Sequence, residues 1–475
     1  MVFSSETFLF LFLPGFLALY YLTPWRWKSL TLLAGSYVFY AWWRVDFLLL
    51  LVATTVFTYY AGRRIRHAAD PQMRKVWMGI GVAGCLGVLG VFKYAGFFLD
   101  SLTGLFGTTP DQIGMHWQIL LPIGVSFYVF QSVSYLIDTY RGDAPDDVRL
   151  VDFMAFIALF PQLIAGPILR YKDLADQFRH RTHSVEMFSE GMTRFFIGLA
   201  KKVLLADAVA PVADLAFSGG DPSLTLAWLG AAAYMLQLYF DFSGYSDMAI
   251  GLGKMLGFRF IENFDAPYIS RSITEFWRRW HISLSVWLRD YLYIPLGGNR
   301  GGTGRTYVNL MTVMVLGGLW HGAAWTYVLW GFWHGGWLAL ERATGLAKSR
   351  TPLALGRTLL LVLIGWVMFR AVSVPDALSV YAGMLGLNGL HMSAAAAFEL
   401  TGESLAFMVI AAMVAAFEPN LRRLSSDGGI LAPRPDGTLT VASAVGPAVL
   451  TTTIAALTVL KLAEQSFSPF LYFQF

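Results

Sequence analysis

Long apolar segments occupy most of this chain, and they limit its fold more than any other feature. A helix needs about 20 mostly apolar residues to cross the hydrocarbon layer of a membrane. The candidate segments are residues 7–23, 29–43, 46–62, 77–99, 118–139, 203–218, 224–252, 307–320, 323–340, 357–374, 404–418 and 441–462. Several are short, so the pattern predicts an all-α polytopic membrane protein with about ten to twelve transmembrane helices.

The composition indicates that lipid is the main solvent of the chain. Of its 475 residues, 56% are hydrophobic and 14% are charged, and the mean hydropathy is +0.54. A soluble domain carries about 25% charged residues, so this chain has too little polar surface to face water throughout. Its net charge of +4 suits anionic lipid headgroups and is too small to indicate nucleic-acid binding. The single cysteine, Cys85, excludes an internal disulfide and a cysteine metal cluster, and we expect no metal site.

Residues 151–170 are apolar but are interrupted by Pro161, Gly166 and Pro167. Such breaks free backbone groups that lipid cannot satisfy, so we predict a kinked or re-entrant helix enclosed by protein. No repeat and no long linker divides the rest, which favours one membrane domain over residues 1–475.

Residues 254–306 differ from the spans because they combine arginines with aromatic side chains. Apolar side chains recur there at steps of three and four residues, at Trp277, Trp280, Leu284, Trp287, Leu288 and Tyr291. This spacing predicts an amphipathic helix at the cytoplasmic face. A positive-inside anchor explains the charge by itself. Arginine is also suited to bidentate phosphate contacts, so Arg278, Arg279 and Arg289 are candidate residues for binding coenzyme A phosphates or an acidic carrier protein.

His321 is the strongest candidate for chemistry among the eight histidines. Its neighbours are apolar and rich in glycine, and ionisable groups inside a membrane are costly and usually functional. A dry environment favours the neutral imidazole, which can act as a general base for a hydroxyl acceptor. Gly317, Gly318 and Gly322 would allow backbone or substrate to approach it closely. The alternatives are a hydrogen-bonded structural histidine and glycines that only pack helices.

Two further histidines are secondary candidates. His281 follows the arginine cluster and could reach a buried cavity, and it or backbone groups could stabilise an oxyanion. His334 lies thirteen residues after His321. On a continuous helix, that separation is about 20 Å of rise and places it on the opposite face, so the two could share a proton only if the helix breaks.

Polar side chains also interrupt two apolar spans. Buried polar groups need partners, so these helices are predicted to face each other or a hydrated passage. The candidate lining residues are Gln237, Asp241, Tyr245, Asp247, Ser126, Gln131 and His334. An acyl-transfer tunnel and an ion pathway would both use such residues.

The chain resembles the membrane-bound O-acyltransferase family in three runs, DFSGYSDMAIGLG, SITEFWRRWHISLSVWLRDYLYIPLGGNR and LGGLWHGAAWTYVLWGFWHG. It is similar to the bacterial polysaccharide branch of that family in LPIGVSFYVFQSVSYLIDTYRGD and LFPQLIAGPILRYKDLADQF. The resemblance is dense over residues 1–345 and thin over 346–475. It implies helices around a central tunnel, with His321 as the family histidine and His281 as the second polar position.

The resemblance also implies an activity. It implies transfer of acetyl groups from a cytoplasmic thioester donor, with acetyl-CoA as donor and no bound cofactor. The acceptor would be an exopolysaccharide, above all alginate, and the location would be the bacterial inner membrane, with periplasmic acetyltransferase partners. Sister branches acetylate cellulose or peptidoglycan, or move D-alanine from a carrier protein.

Two other classes of function remain open from the residues alone. In a polysaccharide or ion transporter, Asp241, Asp247 and His321 would form a translocation relay. In a scaffold of an export complex, the chain would carry no chemistry of its own.

Overall fold

The computed structural model describes residues 1–114, 119–425, 441–464 and 470–471. Within these ranges the regular structure is helical throughout, without strands. The chain divides into two compact units, one of residues 1–191 and 252–261 and one of residues 192–251 and 262–475. The single membrane domain stays a prediction.

The helices follow one another along the chain with short connections. They are α1 (Leu13–Leu22), α2 (Lys28–Ala41), α3 (Val45–His67), α4 (Pro71–Leu89), α5 (Ala95–Leu105), α6 (Val125–Arg141), α7 (Leu150–Ala158), α8 (Phe160–Leu163), α9 (Tyr171–Arg179), α10 (Val185–Ala200), α11 (Asp207–Phe217), α12 (Leu224–Met255), α13 (Ile273–Arg279), α14 (Ile282–Leu288), α15 (Gly302–His321), α16 (Trp325–Thr344), α17 (Pro352–Arg370), α18 (Val374–Met384), α19 (Ala394–Glu399), α20 (Gly402–Ser425) and α21 (Val441–Glu464). Turns of π-helix precede α1, join α4 to α5, precede α11 and follow α14.

Each of the twelve predicted apolar segments overlaps a helix. The segment 118–139 differs at its start, where residue 118 lies outside the described residues and the helix begins only at Val125. Among the described residues, four helices are long and apolar enough to cross a membrane, namely Val45–His67, Pro71–Leu105, Pro352–Arg370 and Gly402–Arg423. Thr7–Leu22 is a further apolar helix, but it is shorter than these four. The chain is therefore a multi-pass membrane protein, while the total of ten to twelve spans stays a prediction.

The break predicted within residues 151–170 is present in the first unit. Helix α7 ends at Ala158, and Leu159 leaves helical geometry with a ψ of 104°. The single turn α8 then begins with Pro161 in its first turn, where a missing N–H costs nothing. The broken helix is thus confirmed, and its side chains from Ala155 to Leu163 are buried in protein.

The single amphipathic helix predicted for the arginine-rich region is wrong in its continuity. The Ser272 hydroxyl caps α13 by accepting the Glu275 N–H at 3.0 Å, and α13 ends after seven residues. His281 then has the left-handed values φ 44° and ψ 54°, and α14 starts after it. Because an L-residue in this conformation cannot continue a right-handed helix, the chain turns there. The predicted apolar stripe itself is largely buried, including Trp280, Leu284 and Trp287.

Helices α15 and α16 form an antiparallel hairpin that glycines hold together. A Cβ on Gly318 would lie 2.2 Å from the Tyr327 carbonyl oxygen, and one on Gly331 would lie 2.4 Å from the Met314 carbonyl oxygen. Both distances are far inside van der Waals contact, so the two backbones approach closely only because these residues lack side chains. The hairpin fixes where His321, at the end of α15, is placed.

Gly331→Ala is expected to destabilise the protein by about 1–3 kcal/mol, because its methyl group must push two packed backbones apart. The measurement is the thermal unfolding midpoint in detergent. Gly336→Ala is the matched control on the same helix, because a Cβ there meets nothing within 4 Å. That change should be neutral or slightly stabilising. Equal midpoints for the two variants would contradict the close packing.

Candidate active site

His321 is the last residue of α15 and lies in the interior of the second unit, with 5% of its surface exposed. Its ring contacts three aromatic rings edge-on, with centroid distances of 5.0 Å to Trp320, 5.3 Å to Trp330 and 5.3 Å to Phe369. Gly322 follows in extended geometry, with φ −157°, and so ends the helix directly after the imidazole. His321 therefore lies at the end of a helix, among aromatic side chains.

His281 reaches the same interior from the turn between α13 and α14. It is fully buried, and its ring centroid lies 6.1 Å from that of His321. The Phe242 ring of α12 packs edge-on against it at 4.8 Å. The structure thus brings together the two residues that the sequence selected for catalysis, although they are forty residues apart in the chain.

His334 lies on the other helix of the hairpin and is also fully buried. The Trp277 Nε1–H donates a hydrogen bond to His334 Nδ1 at 3.3 Å. A Cβ on Gly365 would lie 2.9 Å from His334 Nε2, so this glycine makes room for the ring. The Trp330 ring contacts both His334, at 5.0 Å, and His321, at 5.3 Å. Because the helix breaks at Gly322, the thirteen-residue separation does not place His334 on the face opposite His321.

A wall of aromatic side chains surrounds the three imidazoles. Three of the largest fully buried side chains of the described residues belong to it, namely Trp280, Trp330 and Trp366. The Trp330 and Trp366 rings stack with centroids 5.7 Å apart, and Trp280 lies 5.0 Å from Trp366. Such a wall excludes bulk water and strengthens electrostatic interactions inside it.

The two aspartates predicted to line a passage have basic partners. Lys202 Nζ lies 2.9 Å from Asp241 Oδ1, and the Leu471 backbone N–H donates to Asp241 Oδ2 at 3.0 Å. Asp247 pairs with Arg194 at 2.6 Å and with Lys201 at 2.8 Å. Tyr245 packs edge-on against Phe470 at 4.8 Å. These residues belong to a buried ionic cluster of the second unit.

Other polar groups on α12, the helix that carries Asp241 and Asp247, have no hydrogen-bond partner among the described residues. These atoms are Gln237 Oε1, Ser243 Oγ and Ser246 Oγ. In the first unit, the amide nitrogen and oxygen of Gln131 likewise have no hydrogen-bond partner among the described residues. Ser126 Oγ, by contrast, accepts a hydrogen bond from Lys93 Nζ at 3.3 Å. Buried polar groups almost always find a protein or water partner. The lining role of these residues stays a prediction, and their burial is consistent with internal water or substrate.

A cleft of about 590 Å³ opens along the polar side of α13. Its lining combines basic and acidic side chains with hydroxyl groups, as Asp265, Ser272, Thr274, Glu275, Arg278, Arg279, Lys348 and Arg350. Arg279 is paired with Asp265 and Glu275, at 3.0 and 3.1 Å. Arg289 is outside this lining and pairs with its neighbour Asp290 at 2.7 Å. Two of the three predicted donor-binding arginines therefore share one cleft.

One buried residue of the site was missed by sequence reasoning. Asn263 lies in the connection between α12 and α13, is fully buried, and places its Oδ1 3.2 Å from His281 Nδ1. A single asparagine in a loop carries no spacing signal that could have identified it. Its role becomes visible only when the chain returns to it eighteen residues later.

The fold and the site together define a class of protein. It is a multi-pass helical membrane protein whose second unit buries a pair of imidazoles behind aromatic side chains. The chain belongs to the membrane-bound O-acyltransferase family, whose model matches residues 118–369. Both His281 and His321 lie inside the matched region. The family resemblance seen in the sequence is confirmed, and the chain is an O-acyltransferase.

Similar proteins from three bacteria agree with this assignment. The chain is 54% identical to the probable alginate O-acetylase of Azotobacter vinelandii, and the alignment covers 100% of both chains. It is 35% identical to the peptidoglycan O-acetyltransferase of Helicobacter pylori over 82% of this chain and 81% of that protein. The teichoic acid D-alanyltransferase of Streptococcus thermophilus is 32% identical over 48% of this chain and 58% of that protein.

Proposed function

We propose that this protein moves acetyl groups from a cytoplasmic thioester donor across the bacterial inner membrane for O-acetylation of an exopolysaccharide, namely alginate. The names of the relatives that align over the whole chain support the acetyl group and the polymer. The donor is a coenzyme A thioester, and periplasmic acetyltransferases receive the acetyl group and complete its transfer.

The observation that carries the proposal is the pair of imidazoles 6.1 Å apart in a buried aromatic site. In one route, His321 takes the proton of an acceptor hydroxyl while its oxygen bonds to the thioester carbonyl carbon. The tetrahedral intermediate then expels the thiolate, which takes the proton back from His321, so the C–S bond is exchanged for a C–O bond. In the second route, a His321 ring nitrogen bonds to the thioester carbonyl carbon and the C–S bond breaks, which releases the thiolate. The hydroxyl oxygen then bonds to the acetyl carbon, the C–N bond breaks, and the hydroxyl proton passes to the released thiolate.

The cleft along α13 supports a donor that carries phosphate groups. Arg278 is exposed and lines this cleft. Its neighbour Trp277, on the same turn of helix, donates a hydrogen bond to His334 in the interior. A guanidinium forms strong charge-assisted hydrogen bonds with phosphate oxygens. A coenzyme A thioester held there by its phosphates would direct its acyl end towards the aromatic interior.

Arg278→Glu is expected to raise the KM for acetyl-CoA by about 10–100-fold with little change in kcat, since a charge-assisted contact contributes about 1.5–3 kcal/mol and each 1.4 kcal/mol is tenfold. The measurement is initial-rate kinetics with labelled acetyl-CoA on protein in lipid nanodiscs.

Arg289→Glu is the matched control for that experiment. It makes the same charge reversal at an exposed arginine outside the cleft, so its KM should stay within about twofold of the unmodified protein. Equal effects of the two reversals would show that general surface charge, and not the cleft, attracts the donor.

The function itself is tested with purified protein sealed in vesicles and labelled acetyl-CoA supplied on one side. Release of free coenzyme A together with label on an alginate oligomer or a periplasmic partner supports the proposal. An acetylated carrier protein is the parallel donor. Failure of both donors, together with ion flux driven by polymer, would overturn the enzyme assignment in favour of a transporter.

A further inference from the structure

Asn263 connects two segments that form the floor beneath His281. Its backbone carbonyl oxygen accepts the Ile282 N–H at 2.9 Å, which ties the connection after α12 to the start of α14. Its side chain is fully buried beside the His281 ring. The residue is therefore held from both its backbone and its surroundings, and its amide cannot turn freely.

The amide orientation follows from what faces it. The Ser283 backbone N–H donates to Asn263 Oδ1 at 3.2 Å, and the Ser283 hydroxyl donates to the same oxygen at 2.8 Å. A backbone N–H is only ever a donor, so the atom opposite it must be the carbonyl oxygen of the amide. Turning the amide over would place an NH₂ group against that N–H. The contact thus fixes Oδ1 on this side.

The orientation of the amide decides which nitrogen of His281 carries the proton. His281 Nδ1 lies 3.2 Å from Asn263 Oδ1. An amide oxygen can only accept, so Nδ1 must be protonated to bond to it. The Ser283 hydroxyl also lies near Nδ1, at 3.5 Å, but its single proton is directed to Asn263 Oδ1 at the shorter distance of 2.8 Å. A neutral imidazole with its proton on Nδ1 has a bare lone pair on Nε2. His281 Nε2 is buried and has no hydrogen-bond partner among the residues that the structure describes.

His334 shows the opposite arrangement in the same interior. Its Nδ1 accepts from Trp277 Nε1–H, an obligatory donor, so its neutral ring carries the proton on Nε2. Two imidazoles of one site are therefore polarised in opposite senses by their fixed partners. This difference cannot arise from burial, because both rings are fully buried.

We propose that Asn263 is a positioning residue that holds His281 in its Nδ1-protonated tautomer and so makes Nε2 a hydrogen-bond acceptor of the active site. This inference rests on the proposed function and belongs to its second route. There His321 carries the acetyl group, and Nε2 of His281 receives the hydrogen bond that the acceptor hydroxyl donates. The one N–H of neutral His281, on Nδ1, is then donated to Asn263 and is not free for a developing oxyanion. In this proposal His281 acts as an acceptor, in place of the oxyanion role considered for it from the sequence.

The tautomer can be measured without any turnover. Solid-state nitrogen NMR on protein labelled with ¹⁵N in histidine, in lipid bilayers, separates protonated from bare ring nitrogens, and the His281→Gln variant identifies the signals of His281. We expect a protonated Nδ1 and a bare Nε2 in the unmodified protein, and loss of this preference in Asn263→Leu. A protonated Nε2 at His281 in the unmodified protein would overturn the proposal.

Activity provides the second readout. Asn263→Leu removes the acceptor oxygen at similar volume and is expected to lower the rate of acetyl transfer by about 10–100-fold, as loss of an orienting partner of a histidine typically does. Asn263→Asp keeps an oxygen for all three donors and should restore most of the rate. The matched control is Ser285→Ala on α14, the short helix that follows His281. Its rate of acetyl transfer should stay within about twofold of the unmodified protein. Equal losses in the leucine and aspartate variants would contradict the positioning role.

The outcomes separate this inference from the proposed function. If the unmodified protein shows the predicted tautomer but transfers no acetyl group, the proposed function fails and the assignment of His281 stands. If it transfers acetyl groups with the other tautomer, the function stands and the positioning role of Asn263 fails.

Discussion

His321→Ala is expected to lower acyl transfer by about 10²–10⁴-fold, the usual contribution of a positioned general base. The physical reason is that the imidazole is buried and lies 6.1 Å from the His281 ring, in an interior from which bulk water is excluded. A base from the solvent therefore cannot replace it. The measurement is the release of coenzyme A from labelled acetyl-CoA, together with transfer of the label to an acceptor. Substrate binding through the cleft should change little, so the loss should appear in kcat.

The control for this prediction must separate chemistry from folding. His391→Ala removes an exposed histidine of the same unit and should leave the rate within about twofold. His321→Ala protein must also keep a single peak in size-exclusion chromatography and a normal unfolding midpoint. Retention of full activity by well-folded His321→Ala protein would show that the proposed mechanism is wrong, whatever the family.

The same variant separates the two routes for His321. If the acetyl group passes through a covalent acyl-imidazole, rapid quenching of the unmodified protein with labelled donor and no acceptor leaves label on the protein, and His321→Ala leaves none. A general base retains no label in either case. A protein that is labelled equally with and without His321 would carry the acyl group on another side chain.

Most of the helices could be predicted from the sequence because burial in lipid imposes long apolar segments. Each predicted span matched a helix, since continuous hydrophobicity over many residues has few other outcomes in a membrane protein. The interruption by Pro161 likewise predicted a broken helix, because proline lacks the N–H that the helix needs.

The geometry around His334 could not be obtained in this way. A periodic apolar pattern does not reveal that Gly322 ends one helix and that Trp325 starts the next three residues later. Only on a continuous helix would His334 lie on the face opposite His321. In the folded chain the Trp330 ring contacts both.

The continuity of the arginine-rich helix failed for a related reason. The left-handed backbone at His281 is set by its contacts with Asn263 and with the turn that follows, not by an intrinsic preference of histidine. Sequence periodicity describes which side chains are buried, and it described the apolar stripe well. It does not report one residue at which tertiary contacts override the local helix.

Lys202→Met is expected to destabilise the protein by about 3–5 kcal/mol, the cost of leaving buried carboxylates without their counter-ion. Lys202 is 2% exposed and its Nζ lies 2.5 Å from Asp207 Oδ1 and 2.9 Å from Asp241 Oδ1. Methionine keeps much of the side-chain volume, so the loss reflects charge and not a cavity. The measurement is the free energy of unfolding in a detergent titration, supported by the thermal midpoint.

The matched control is Lys254→Met on α12, where the ammonium pairs with Glu190 at the surface. An exposed pair of this kind contributes about 0–1 kcal/mol, so the control should unfold close to the unmodified protein. Adding Asp207→Asn and Asp241→Asn to Lys202→Met should recover much of the lost stability, because no uncompensated charge then remains.

This experiment also decides between two roles for Asp241. A structural ion pair predicts loss of stability with Lys202→Met and no ion flux, since a carboxylate held by a buried lysine is not free to cycle its proton. If the variant unfolds normally while conducting ions in response to polymer, the aspartate belongs to a translocation relay.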